Sequence, residues 1–394
     1  MWPLASKEPQ LSQLPTTSHG LSKSSSGTQL IFPSDFATCS SVSAKTDLGF
    51  PFPMCPKLLS AILAMGIMSI ANAAPKTPQL TDLCKIQPTP QTTTIDPTTL
   101  SEIVRNRIPE FWDGFDTGFG GVPSFRPDGA PTAANATELE TRLFEDPHLN
   151  DFLLIAPQSA RLFSRREILQ AARMRDPYRA IGKVLINDGE LRSACSGALV
   201  GMDLLLTAAH CVRNITNDWT LEFIPALNAE DPGQPRPWGS AFAERCISVG
   251  LDDDYAICQL DSTIGEKTGH LGWRASLYNG FYLGGEWSSV GYPTNFKGGN
   301  VAALEDVKIA SVEDTAGESG VAKVFSSQPY VDEGWWGGPL YGQDGDDFFA
   351  VGVVSAAVDR GGYQHIFATS SFHSGGPRMG ELIEYAAMEW KSVR

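Results

Sequence analysis

From Tyr178 onward the chain is cut into short β-rich runs by turn residues, and this spacing limits the possible folds more than any other feature. The runs cover residues 180–186, 196–208, 219–224, 256–260, 321–326 and 348–356, with Gly, Asp, Asn and Pro between them. Short strands at such intervals build an all-β sandwich or barrel, not a helical bundle. With 394 residues, 38 of them Gly and 27 Pro, the chain has room for a two-barrel core plus extra segments and turns enough to fold it. Only the end differs. Met379, Leu382, Ile383 and Ala386 recur at helical spacing after the break at Gly375-Gly376-Pro377, so a C-terminal amphipathic helix is expected to pack on the barrel. No internal repeat of fixed period is evident.

Upstream the texture is different. Residues 1–53 are rich in Ser, Thr, Gly and Pro and read as disordered. Residues 54–73 read as a secretory signal peptide: a basic start at Met54-Cys55-Pro56-Lys57, a short apolar stretch, then Ala71-Asn72-Ala73. A membrane anchor is the alternative, but the apolar stretch is short and broken by Ser60, Gly66 and Ser69. Because signal peptides begin a chain, translation is expected to start at Met54. Residues 74–176 read as a propeptide-like or linker region. Pro and Thr dominate 74–98, a short helix is expected over 99–112 with Leu100, Ile103 and Val104 on one side, and 113–134 is loop. Residues 138–144 and 166–174 are candidate helices. Arg161, Arg165, Arg166, Arg173, Arg175 and Arg179 mark the second as a processing site or a solvated basic face.

A formal charge of −15 argues against a nucleic-acid partner, which needs a cationic surface. After cleavage near Ala73 five cysteines remain, and export makes disulfides their first reading. Cys195, Cys211, Cys246 and Cys258 suffice for two bridges, leaving Cys84 over. Asn135-Ala136-Thr137 and Asn214-Ile215-Thr216 are sequons, so Asn135 and Asn214 are glycosylation acceptors if exposed in a eukaryotic secretory pathway. His365 and His373 lie in a Gly/Ser-rich stretch and read as surface residues. No cysteine–histidine spacing suggests zinc, and no metal or cofactor is expected.

Three strings carry chemistry. Leu206-Thr207-Ala208-Ala209-His210-Cys211 follows the apolar run Ser196-Gly197-Ala198-Leu199-Val200, itself preceded by Cys195. Asp252-Asp253-Asp254-Tyr255-Ala256-Ile257 comes next, with Asp254 lying 44 residues after His210. Glu333-Gly334-Trp335-Trp336-Gly337-Gly338-Pro339-Leu340 is third, and Gly352-Val353-Val354-Ser355 follows it. In this order the strings resemble the trypsin/chymotrypsin serine-protease family over residues 177–394. The resemblance implies two antiparallel β-barrels of chymotrypsin type, with the site in the cleft between them. It makes His210 the general base and Asp254 the carboxylate that fixes its tautomer. It also implies a Cys195–Cys211 bridge fastening the histidine segment. Cys246 and Cys258 flank the aspartate segment, and pairing them closes a hairpin around it. Ser355 falls on the strand that lines the specificity pocket and binds substrate backbone. Tyr178-Arg179-Ala180-Ile181-Gly182 and Gly291-Tyr292-Pro293 look closer to the glutamyl-endopeptidase-like bacterial and fungal branch.

The departures matter as much. The family pattern Gly-x-Ser-Gly-Gly-Pro places Trp336 where the nucleophilic serine belongs. An indole offers an N–H donor and no lone pair for attack on a carbonyl. The amides of Gly334 and Trp336 keep the oxyanion-hole positions, but a bulky ring at the mouth obstructs a scissile carbonyl. Trp335 replaces the aspartate that receives a new N-terminal ammonium in trypsin-like zymogens, so that salt-bridge activation is not expected. Around Tyr330 there is no charge selector. Three readings compete: a secreted non-catalytic homologue that binds a protein or peptide ligand in the cleft, an active endopeptidase whose Trp336 is an artefact, and a structural β-protein with a vestigial cleft.

Overall fold

Two strand circuits organise the molecule, and each closes on itself. In the first, β1 (Ile181–Asn187), β2 (Arg192–Leu199), β3 (Leu204–Thr207), β4 (Thr220–Pro225), β5 (Ala241–Ser248) and β6 (Ala256–Leu260) pair in the order β5-β6-β3-β2-β1-β4, and β4 returns to β5. In the second, β7 (Trp287–Gly291), β8 (Ala303–Asp314), β9 (Lys323–Gln328), β10 (Pro339–Asp344), β11 (Asp347–Val358) and β12 (Ser370–Gly375) run β7-β10-β11-β12-β9-β8, and β8 returns to β7. Both are closed six-stranded antiparallel barrels of chymotrypsin type, as the sequence led us to expect. Closure leaves no free barrel edge and stacks the inward residues of each strand into a core.

The computed structural model describes residues 89–115, 118–129, 141–143, 166–168, 170–188, 192–212, 219–231, 233–249, 253–300, 302–315, 321–328, 333–358 and 370–392. All belong to the unit Leu83–Arg394. The expectations for 1–53, for the signal peptide 54–73, and for Cys84, Asn135, Asn214, Asp252, Tyr330 and His365 lie outside these residues.

Alternation sets the strands. On β4, Leu221 and Phe223 are fully buried while Thr220 and Glu222 are half-exposed, the period-two signature of a barrel wall. The apolar run 196–208 forms two strands, because Gly201-Met202-Asp203 turns the chain between β2 and β3. The C-terminal helix α2 (Pro377–Trp390) follows Gly376, whose φ of 97° favours glycine. Its Met379, Leu382, Ile383 and Ala386 are at most 1% exposed and join the main core.

The region ahead of the barrels departs from expectation. Gln91–Thr94, in the stretch read as linker, is a strand parallel to β5, with Gln91 opposite Arg245 and Thr94 opposite Ser248. The β-branched threonines suit an edge strand, and its exposed side chains gave no apolar signal to the eye. Helix α1 (Pro97–Arg107) appears as expected but starts earlier and stops ahead of Pro109, where a 3-10 turn Pro109–Trp112 takes over. Asp96 caps it by accepting from the Thr99 amide at 3.0 Å. Leu100 and Val104 are fully buried against the core that α2 completes. Gly120–Val122, expected as loop, pairs antiparallel with Trp273–Ala275. Gly121 lies tight against the Trp273 carbonyl, where no side chain fits. Residues expected as helices at 138–144 and 166–174 include the paired strands Thr141–Leu143 and Arg166–Ile168; among the described residues of these ranges only Gln170–Arg173 is helical. Pairing with β8 and with each other outweighs the helical preference of such short pieces.

Candidate active site

β3 ends at Thr207, and a 3-10 turn, Ala209–Val212, presents His210 with about a third of its side chain exposed. Two ties hold this turn. Cys211 is bonded to Cys195 on β2, and Thr207 Oγ1 donates to the Ser196 carbonyl at 2.8 Å. The expected second bridge is also present: Cys246 on β5 lies directly opposite Cys258 on β6, and the two are bonded.

Asp254 precedes β6 and is 8% exposed. Its φ of 31° is unusual for a residue with a side chain, so the surrounding contacts must hold it there. Asp254 Oδ1 accepts from the His210 amide at 2.9 Å, and His210 Nδ1 lies 2.8 Å from Oδ2. The Ser355 hydroxyl donates to the same Oδ2 at 2.6 Å. Ser355 sits at a register shift between Val354 and Ala356, a bulge that re-aims its side chain. With Nδ1 facing a carboxylate, neutral His210 carries its proton there and leaves Nε2 with the lone pair. The dyad is therefore arranged to accept a proton at Nε2.

Backbone contacts bring the third segment to the same place. Gly334 has φ 90° and Gly337 φ 78°. A Cβ on Gly334 would come 2.7 Å from the Tyr292 carbonyl, and one on Gly337 would collide with Thr207. The glycines are thus required for the loop to lie against the histidine segment. Ser196, which no motif singles out, stitches the two together. Its amide donates to the Trp336 carbonyl at 2.7 Å and its hydroxyl to the Gly334 carbonyl at 2.8 Å. Gly337 and Val354 lock the loop to β11 through Gly337 N to Val354 O at 2.8 Å and Val354 N to Gly338 O at 2.9 Å. Among the described residues, neither the Gly334 nor the Trp336 amide donates to a protein acceptor.

Trp336 is half-buried between two core clusters, and its ring meets His210 edge-on, with centroids 5.3 Å apart and planes at 81°. Trp335 is fully buried and donates Nε1–H to Ser289 Oγ at 2.9 Å. Gly291 faces that indole so closely that a methyl group there would overlap it.

His373 corrects an expectation: it is fully buried, not on the surface, with Nε2 2.7 Å from Ser327 Oγ. It sits on β12 between β9 and β11, and burial drives its pKa down to about 3, so the ring is neutral. Cys195, His210 and Cys211 bring their ligand atoms within 4.8 Å of one another. Both sulfurs are bonded to each other and offer no thiolate to a metal.

A family model described as Trypsin matches residues 171–373. No curated protein matches the chain. Among solved structures the chain is similar to a thermostable serine protease AL20 from an extremophilic microorganism, at 18% identity and TM-score 0.40, covering 54% of this chain and 98% of that one. It is also similar to a Glu endopeptidase solved with MPD, at 21% identity and TM-score 0.42, over 57% of this chain and 96% of that one. A protease Anisep from Arthrobacter nicotinovorans follows at 19% identity and TM-score 0.36, over 51% and 90%.

Proposed function

The chain belongs to the trypsin family, and from that premise we propose that it is an exported, non-catalytic protease homologue that holds a protein or peptide segment in the cleft between its barrels. One observation carries the reading: at the nucleophile's place an indole stands edge-on to the proton-accepting histidine. Acyl transfer needs an atom that gives up a proton and then bonds to carbon, and Trp336 has none. The Trp336 ring crowds the place of a scissile carbonyl, but the backbone of Ser355 still suits an extended peptide. Binding is thus retained while the covalent step is lost. Export rests on the reading of residues 54–73 and agrees with the two disulfides.

A second reading has its own support. The His210–Asp254 pair is fully assembled, with Ser355 completing the aspartate's hydrogen bonds. Such a dyad serves an active serine endopeptidase if residue 336 is in truth serine. Reading codon 336 in genomic DNA separates the two. With tryptophan confirmed, the native chain should give no labelling by a fluorophosphonate, whereas Trp336→Ser should label and cleave peptides. Labelling of the confirmed tryptophan chain would overturn the non-catalytic reading. An inert Trp336→Ser would overturn the intact cleft.

A further inference from the structure

Asp254 is held in its strained turn from behind. Its neighbour Asp253 is 5% exposed and accepts from Thr315 Oγ1 at 3.2 Å. Asp253 Oδ2 also lies 3.5 Å from Nη1 of Arg378, a guanidinium 4% exposed at the start of α2. One helical turn further on, Glu381 shares that face of α2 and is fully buried. Its Oε2 accepts from the Ser101 hydroxyl of α1 at 2.8 Å, across 280 positions of sequence. Burial lifts the Glu381 carboxyl to about 7, opposed by the Ser101 hydrogen bond and by the charge of Arg378.

We propose that Arg378 is a positioning residue: its ion pair with Asp253, and the Glu381–Ser101 hydrogen bond one turn along α2, together let helix α1, ahead of the barrels, fix the turn carrying Asp254 and hence the orientation of His210. The inference deepens the dyad reading given above and rests on it. A buried ion pair adds little net stability, whereas removing one partner leaves the other charge buried and uncompensated, so the pair holds its two segments in one arrangement. The turn needs such selection, because a positive φ at a non-glycine residue persists only when its neighbours over-determine it.

The experiment follows the Nδ1 proton of His210 by NMR in the full chain, measuring its exchange with water. In the native protein this proton is hydrogen-bonded to Asp254 and protected. Arg378→Met should speed its exchange at least about tenfold, and Ser101→Ala at least about threefold, while Arg378→Lys should restore most of the protection. Arg173→Met removes an equally buried arginine bonded to the Leu227 carbonyl and should leave the proton unaffected. Native-like exchange in a folded Arg378→Met protein, or equal acceleration by Arg173→Met, would overturn the proposal. If Arg378→Met does not fold, Ser101→Ala decides, and native protection there rejects the proposal. A native chain lacking the protected proton would sink the dyad reading and the proposal with it.

Discussion

Ser355 Oγ lies 2.6 Å from Asp254 Oδ2, the same oxygen that approaches His210 Nδ1 to 2.8 Å. One carboxylate oxygen therefore joins a strand of the second barrel to a histidine of the first, and the pairing depends on a bulge in β11.

Ser355→Ala should test that junction. Losing a hydrogen bond to a charged, largely buried carboxylate typically costs about 1.5–3 kcal/mol. We expect the urea midpoint to fall accordingly with an unchanged slope, since the barrels themselves remain. A loss below about 0.5 kcal/mol would mean that water replaces the hydroxyl without penalty.

The Cys195–Cys211 bridge closes a 16-residue separation around the turn that carries His210. Chain-entropy reasoning gives about 3 kcal/mol for a loop of that size. A Cys195→Ala, Cys211→Ala double variant should lose stability of that order in denaturant unfolding. It should also expose residues 204–212 to faster amide exchange before the second barrel is affected.

His373 makes stability depend on pH in a defined window. Its pKa is about 3 in the folded chain against 6.5 for an ordinary histidine. Below about 6.5 the unfolded chain binds a proton that the folded ring refuses, so stability present above 6.5 declines as the pH falls toward 3. The His373 ring should show no titration by NMR between pH 8 and 5. Replacing it by glutamine should flatten the acid limb of the stability curve, and an unchanged limb would refute the assignment.

Much of the cleft was legible because its backbone leaves little choice. Gly337 has to be glycine to pass Thr207, which gives a physical reason for the Gly337-Gly338-Pro339 string on which the resemblance, and with it the reading of Trp336, rested. The histidine and aspartate segments were equally readable, since each pairs a functional residue with an apolar strand that anchors it. What sequence reasoning missed lacked a periodic signal. On β5, exposed Glu244 and Arg245 interrupt the alternation. His373 has glycine- and serine-rich neighbours and owes its burial to strands on both sides. Arg378 and Glu381 lie among the apolar positions that announced α2, yet charged residues on such a face ordinarily read as solvated. Only contacts with the distant Asp253 and Ser101 reveal their place.

The stretch from Gln91 to Val122 grips β5 of one barrel, the helix that closes the chain, and Trp273–Ala275 beside the other barrel. A single cut in the backbone after residue 129 and before residue 166 would therefore leave these contacts holding residues 91–122 to the rest. Such a cut would add one N-terminus, one C-terminus and the elements of one water, while these contacts keep the two pieces together.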